Sequence, residues 1–255
     1  MHVKTLNIRA LTLGAGREWL VCPITAPDTA DALAVARSLA RSHADAAEFR
    51  ADLSCDNADA ARLRDITRLL RAELGDMPLM FTYRTDGAEN PPALDADARR
   101  ALIEGVITDG AADIVDVEHN LPGAARLIAL AHERGVASIY SLHDFSALPE
   151  NAALAEFVAE ARALGADIAK FACMIYTREE LLRLLAFTER AARDADAPLL
   201  TAVPMGEAGA PGRLMAGLFG SCMSFCAYGA PSAPGQIELE RAYRAICALR
   251  GEGLK

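Results

Sequence analysis

Lys170 is the residue best suited to covalent chemistry. The 26 basic residues include only three lysines, and two of these, Lys4 and Lys255, lie near the chain ends. Lys170 instead lies inside the strand-like run 167–174, where a solvated surface lysine would be out of place. A lysine in an apolar pocket can lose its proton and form an imine, which an arginine cannot do. The structural alternative is a lysine that snorkels from a strand end or pairs with a carboxylate.

Four strand-like runs end in polar residues two positions apart. The pairs are Glu48 and Arg50, Thr82 and Arg84, Asp116 and Glu118, and Ser141 and His143. Because side chains alternate along a strand, both members of a pair face the same side of the sheet. One pair alone could be a structural ion pair or a solvated strand end. Four together, with Lys170, predict one cluster for anion binding, proton transfer and nucleophilic attack.

His143 is the best candidate for a general acid and base among the five histidines. His2 is terminal, His43 and His132 fall on predicted helices, and His119 lies just past a strand. His143 alone ends a strand. A histidine titrates near neutral pH and can take up and return a proton within one catalytic cycle.

These side chains need a framework that brings several strand ends together. Short apolar runs alternate with longer stretches of helical period, which is typical of successive βα units. The predicted strands are residues 20–24, 46–50, 79–84, 114–118, 137–143, 168–174, 199–203 and 224–227, and the clearest helices are 28–41, 58–74, 121–134, 152–164 and 178–193. Asp28 and Thr177 are predicted as N-caps, and Gly135 and Gly165 as C-terminal stops.

Eight strands in 255 residues favour a single (β/α)8 TIM barrel over residues 1–255 rather than an open doubly wound sheet. The turn after the first strand, Pro23-Ile-Thr-Ala-Pro27, carries no GxGxxG and cannot cradle a pyrophosphate. Active sites of such barrels lie at the C-terminal ends of the strands, where the polar pairs are found. Residues 3–19 are a candidate β-hairpin closing the barrel floor, with a turn at Gly14-Ala15-Gly16.

The composition points to a small-molecule ligand. The chain is 52% hydrophobic and 24% charged, with a formal net charge of −9, which argues against wrapping nucleic acid or lying on an anionic membrane. Lys4, Arg9, Arg17 and Glu18 interrupt any apolar run in the first thirty residues, so a cytoplasmic location is expected.

Six cysteines show no CxxC pair and no zinc-ligand spacing, so buried free thiols and no metal are expected.

Several motifs together resemble the type I 3-dehydroquinate dehydratases over about residues 20–236. They are Glu48-Phe-Arg50-Ala-Asp52, Phe81-Thr-Tyr-Arg84, Asp116-Val-Glu118, Ser141-Leu-His143-Asp-Phe145, Asp167-Ile-Ala-Lys170-Phe-Ala-Cys-Met174, Met205-Gly206, Gly212-Arg213, Phe219-Gly220-Ser221 and Ser232-Ala-Pro-Gly-Gln236. The resemblance implies a (β/α)8 barrel, usually a homodimer, with no metal and no organic cofactor.

The resemblance also implies a role for each site residue. Lys170 would form the Schiff base with 3-dehydroquinate and His143 would shuttle the proton. The residues implied to hold the substrate are Glu48, Arg50, Arg84, Arg213, Ser232 and Gln236. The chemistry is consistent with these side chains, because an iminium at C3 acidifies the C2 hydrogen that His143 removes before it protonates the departing C1 hydroxyl.

The chain departs from the family pattern at the acid that supports the histidine. The family's glutamate four residues after the strand arginine is here Ala88, and Glu89 lies one place further on. Glu89 is therefore the candidate for this role if the loop slips by one residue; a smaller departure is Ile175 in place of a proline. Two other functions remain open, a class I aldolase or transaldolase that uses a barrel lysine, and a barrel that binds a quinate-like acid without turnover.

Overall fold

A computed structural model describes residues 4–85 and 93–253 of the chain. Within these ranges, eight parallel strands form one sheet, with neighbouring strands joined by helices. The last strand pairs with the first, and a bridge from Leu200 to Ser221 connects the remaining edge through a Cys222 amide that donates to the Leu200 carbonyl. The expected (β/α)8 TIM barrel is confirmed. None of the described helices is long and apolar enough to cross a lipid bilayer.

The strands agree closely with the sequence prediction in their centres and differ at some ends. A hairpin of β1 (Leu6–Ile8) and β2 (Leu11–Leu13) precedes the barrel strands β3 (Trp19–Ile24), β4 (Ala46–Arg50), β5 (Leu79–Thr82), β6 (Ile114–Glu118), β7 (Ala137–Asp144), β8 (Ile168–Met174), β9 (Leu199–Met205) and β10 (Met223–Phe225). Strand β5 ends two residues before the predicted Arg84, because the Arg84 amide donates to the Asp52 side chain.

The helices pack around the barrel. They are α1 (Thr29–Leu39), α2 (Ala60–Leu74), α3 (Ala96–Asp109), α4 (Ala124–Arg134), α5 (Asn151–Ala163), α6 (Arg178–Ala192), α7 (Ala210–Met215) and α8 (Leu239–Arg250). Asp28 and Thr177 cap α1 and α6 as predicted, and Gly135 ends α4 in the left-handed conformation. Helix α3 was not among the clear predictions, since Gly105 and several β-branched residues weaken its local helix propensity.

Side chains alternate between the barrel lumen and the surrounding helix layer. On β4, Ala46 belongs to the lumen cluster while Phe49 packs toward the helices, and the other strands keep the same alternation. Glu48 shares the parity of Ala46, and Lys170 shares that of Ile168, another lumen residue. The strand geometry therefore directs the polar pairs into the lumen at the C-terminal ends.

The hairpin packs against the opposite, N-terminal end of the barrel. Ile8 and Leu13 are buried in the same cluster as Trp19, the first residue of β3. The predicted turn at Gly14-Ala15-Gly16 is wrong, because Ile8 pairs with Leu11 and so places the turn at Arg9 and Ala10. Gly14 and Gly16 belong to the connection from β2 to β3, with φ of 84° and 76°.

Two glycines of this connection provide a matched test of the hairpin's fit. Gly14→Ala should reduce the free energy of unfolding more than Gly16→Ala does, by about 1–3 kcal/mol, measured by urea denaturation. Both positions have positive φ and share its cost. Only at Gly14 would the new Cβ collide with the Lys4 carbonyl oxygen and approach Leu199 Cδ2 to 2.9 Å. Equal losses in the two variants would show that the chain at Lys4 does not pack there.

Candidate active site

Lys170 lies in the middle of β8 and is 4% exposed. Its Nζ donates to Asp116 Oδ2 over 2.9 Å. Nζ also lies 4.4 Å from the centroid of the Phe225 ring, whose electron-rich face attracts a cation. The predicted nucleophile is thus buried and held between one carboxylate and one aromatic face.

The Asp116 carboxylate connects three neighbouring strands. Besides Lys170, its Oδ1 accepts a 2.6 Å hydrogen bond from Ser141 Oγ and lies 2.8 Å from Arg84 Nη2. The Arg84 contact is an ion pair whose geometry does not meet that of a hydrogen bond. Burial acts to raise the pKa of Asp116, but the charges of Arg84 and Lys170 outweigh it and hold that pKa well below its usual range. Asp116 is therefore a buried anion at neutral pH.

Arg84 is buried among acceptors of the site. Its Nη1 donates to Glu118 Oε1 and to Ser141 Oγ, both over 3.1 Å. Burial acts to lower the pKa of Arg84, but Asp116 and Glu118 outweigh it and raise that pKa above its ordinary value. Two carboxylates and one hydroxyl thus fix a permanently charged guanidinium in the lumen.

His143, near the end of β7, is half-buried and lies against Phe145, with ring centroids 6.3 Å apart. Among the described residues, its buried Nδ1 has no hydrogen-bond partner. Burial, followed by the charges of Arg84 and Lys170, lowers the pKa of His143 well below its ordinary value of about 6.5. The imidazole is therefore neutral at neutral pH and can accept a proton.

Glu48 and Arg50 line the same mouth from β4. Thr82 Oγ1 donates to Glu48 Oε1 over 2.8 Å, and Glu48 is 4% exposed. Arg50 makes a bidentate pair with Asp52, at 2.9 Å from Nε and 2.6 Å from Nη2. Burial acts to lower the pKa of Arg50, but Asp52 outweighs it and raises that pKa. Because Asp52 Oδ1 also accepts from the Arg84 amide, it connects the two arginine-bearing strand ends.

Arg213 differs from the other arginines of the site in its partners. It is 3% exposed and donates to two backbone carbonyls, Phe225 O at 3.4 Å and Pro234 O at 2.9 Å. In residues 4–85 and 93–253, no carboxylate forms an ion pair with it, and its buried Nε has no partner. Burial lowers the pKa of Arg213 to about 10. It remains a cation at neutral pH, whose charge an anionic ligand would balance.

Two polar residues of the 228–236 segment, Ser232 and Gln236, are hydrogen-bonded to each other. The Ser232 amide donates to Gln236 Oε1 over 2.6 Å, and Gln236 Nε2 donates to Ser232 Oγ over 3.1 Å. Between them, Pro234 O accepts from both Arg213 and the Gly206 amide. These contacts attach the segment to the rim of the barrel beside Arg213.

The structure also brings in residues that the sequence prediction did not identify as part of the site. Arg99 of α3 donates to Glu118 Oε2 and to Thr85 Oγ1, both over 3.0 Å. Phe225 supplies the aromatic face for Lys170. Arg99 was missed because helix α3 was not predicted; an arginine on the apolar face of that helix is the signal that could have identified it.

Two sequence predictions concern Glu89 and a metal ion. Glu89 lies outside these residues, and its role stays a prediction. Among the residues with described positions, no three His, Cys, Asp or Glu side chains are arranged to hold a metal ion. In the same part of the chain the cysteines are free thiols, and Cys55 is exposed, unlike the buried others.

The chain is similar over most of its length to proteins of one family. A family model described as type I 3-dehydroquinase matches residues 20–251. The 3-dehydroquinate dehydratase of Lactiplantibacillus plantarum is 36% identical over 237 residues, covering 92% of this chain and 94% of the relative. The 3-dehydroquinate dehydratase of Geobacillus thermodenitrificans is 33% identical over 238 residues, covering 92% of each.

Solved structures show the same likeness. The crystal structure of 3-dehydroquinate dehydratase from Geobacillus kaustophilus HTA426 matches with a TM-score of 0.92 and 31% identity, covering 98% of both chains. The type I 3-dehydroquinate dehydratase of Clostridium difficile, solved with covalently modified comenic acid, matches with a TM-score of 0.90 and 26% identity. It covers 97% of this chain and 98% of that one.

The environment of His143 predicts its titration. In the folded, ligand-free protein, NMR of the imidazole nitrogens should show the pKa of His143 below about 6.5, since burial and two nearby cations disfavour the imidazolium. In concentrated urea the pKa should return to about 6.5. The spectrum of His143→Asn identifies the resonance by its loss. A folded-state pKa at or above 6.5 would contradict the geometry.

Proposed function

The chain belongs to the type I 3-dehydroquinase family, and on that premise we propose that Lys170 and His143 carry out its reaction at the mouth of the barrel. The chain is a 3-dehydroquinate dehydratase, a hydro-lyase of the shikimate pathway. The observation that carries the residue assignment is the position of Lys170, buried in the lumen with its Nζ 2.9 Å from Asp116.

The reaction begins with the Lys170 amine. After losing a proton, Nζ adds to the C3 ketone of 3-dehydroquinate to form a carbinolamine. The hydroxyl of the carbinolamine takes up one proton and leaves as water, which gives an iminium and balances the proton lost at the start. Asp116, anionic at neutral pH, lies where it stabilises this positive charge as it does that of the ammonium. The iminium withdraws electrons from C2 and acidifies its hydrogen.

His143 then moves the proton. Its lowered pKa keeps it neutral, so that it accepts the C2 proton and leaves an enamine. The imidazolium returns the proton to the C1 hydroxyl, which departs as water while the enamine electrons form the new double bond. Hydrolysis of the product iminium releases 3-dehydroshikimate and restores the Lys170 amine. The proton and the water balance over the cycle.

Arg213 is proposed to bind the substrate carboxylate. Its support is the lack of a carboxylate partner in the described part of the chain, in contrast to Arg50 and Arg84. A guanidinium that binds a carboxylate in a bidentate way fixes its orientation as well as its charge. Ser232 and Gln236, beside Arg213 on the rim, are proposed to hold the substrate together with Arg50 and Arg84, and Glu48 is proposed to orient one of its hydroxyl groups.

The alternatives are less well supported than dehydration. The matched family and the structural neighbours do not favour an aldolase-type enzyme or a non-catalytic acid-binding barrel. Residues 1–255 as one catalytic domain, the homodimer and the cytoplasmic location stay predictions from the sequence. Light scattering of the purified protein checks the dimer.

Borohydride trapping tests the imine. Wild-type protein treated with borohydride and 3-dehydroquinate should gain one reduced adduct, and peptide mass mapping should place it on Lys170. Lys170→Arg keeps the charge but cannot form an imine, and Lys170→Met removes both, so each should lower turnover about a thousandfold or more by enone absorbance.

Lys4→Arg is the matched control and should keep both adduct and turnover. The imine mechanism is wrong if the mass is unchanged while dehydration proceeds, or if Lys170→Arg stays active. A direct elimination through His143 would then replace it.

Substitution of Glu89 tests the sequence prediction that it supports the histidine. If Glu89 orients His143, Glu89→Gln should lower turnover about tenfold or more and shift its pH profile, whereas Glu156→Gln on the exposed face of α5 should not. Ala88→Glu, which restores the family's position, should keep or raise turnover. An unaltered rate and pH profile in Glu89→Gln would exclude this partnership.

A further inference from the structure

Glu118, at the end of β6, connects the active site to helix α3. The carboxylate is 2% exposed and accepts on both oxygens. Oε1 accepts from Arg84 Nη1 at 3.1 Å and from the Thr85 amide at 2.8 Å. Oε2 accepts from Thr85 Oγ1 at 2.6 Å and from Arg99 Nη1 at 3.0 Å. Glu118 thus bonds an arginine of the site on one side and an arginine of the helix layer on the other.

Arg99 is a buried part of this arrangement. It lies in the first turn of α3, which begins after the Asp95 cap, and is 9% exposed. Its Nη1 donates to Glu118 and to Thr85 Oγ1, which itself donates to the same Glu118 oxygen. Removing one cation from a buried ion pair leaves the remaining charge poorly compensated, so Arg99 stabilises Glu118 as an anion in a fixed position.

Five buried charges alternate in a row across the barrel. From the helix layer to the lumen they are Arg99, Glu118, Arg84, Asp116 and Lys170, with successive contacts of 3.0, 3.1, 2.8 and 2.9 Å. Each carboxylate lies between two cations. Without Arg99, Glu118 would lose one of the two cations that this row places beside it, and the other is Arg84. Arg84 would be drawn toward Glu118 and away from Asp116, which would then hold the Lys170 ammonium more strongly.

We propose that Arg99 is a positioning residue for the dehydration, acting through Glu118 to set how Arg84 divides its charge between Glu118 and Asp116. The inference rests on the proposed roles of Lys170 and His143 at this site. Arg99 itself contacts Glu118 and Thr85 and acts on the reacting groups only through them.

The variant Arg99→Gln should lower kcat/KM about ten- to hundredfold, the range expected for one charged hydrogen bond, and slow borohydride trapping in parallel. It should also raise the pKa of His143. Among the described residues, the charged groups that act on His143 are Arg84, Lys170 and Arg50, which lower that pKa, and Asp116, which raises it. If Arg84 moves toward Glu118, its lowering effect on the pKa of His143 becomes weaker. Arg99→Lys, which keeps the charge but not the fork, should give values between those of the wild type and Arg99→Gln.

Arg100→Gln is the matched control, since the neighbouring arginine on α3 pairs with the exposed Asp97 and should leave kinetics and the His143 pKa unchanged. The proposal is overturned if Arg99→Gln keeps wild-type kcat/KM, or if kcat/KM falls while the His143 pKa does not move. Should Arg99→Gln not fold, Arg99→Lys decides, and wild-type values in it overturn the proposal. The pKa is measured without substrate by NMR, so this readout is independent of whether the dehydration mechanism itself is correct.

Discussion

The buried carboxylate of Asp116 accepts from Lys170 and Ser141 and lies against Arg84, so one anion joins three strands of the barrel. The position of Asp116 determines the position of the Lys170 amine, because a buried charge without a partner has a high free-energy cost. The same anion also offsets part of the positive field that acts on His143. A change of its charge would therefore alter the nucleophile, the base and the arginine together.

The lumen divides along its axis into an apolar floor and a polar mouth. At the floor, Ile8, Leu13 and Trp19 pack with the first lumen residues of the strands. At the mouth, residues of the same parity are charged on β4 and β6, where they are Glu48, Arg50, Asp116 and Glu118. Because strand side chains alternate, a strand such as β4 contributes to both layers while its outer face stays apolar against the helices. The catalytic end can thus be highly charged while the hydrophobic core around the barrel remains continuous.

Charge pairing separates the arginines of the site into two groups. Arg50 and Arg84 form ion pairs with carboxylates of the chain, whereas Arg213 donates to backbone carbonyls. A buried guanidinium whose partners are carbonyls keeps its charge at neutral pH. The binding of an anion beside it is therefore electrostatically favourable. Lys170 pairs with Asp116, whereas the imidazole of His143 is neutral at neutral pH and can accept a proton.

The sequence by itself determined the barrel, the strand centres and the common face of the polar pairs, because period-two and helical patterns are local properties of the chain. It also singled out Lys170 and His143, whose residue types and strand positions needed no contact information. The turn at Arg9 and Ala10, the early end of β5 and the row from Arg99 to Lys170 could not be predicted this way. The early end of β5 and the row depend on partners distant in sequence, such as Asp52 for the Arg84 amide or Glu118 for Arg99. The hairpin turn depends on the register in which Ile8 pairs with Leu11. Only the tertiary structure decided which carboxylate each cation meets, and with it the pKa of His143, because Coulomb energies depend on distances between strands that no local pattern encodes.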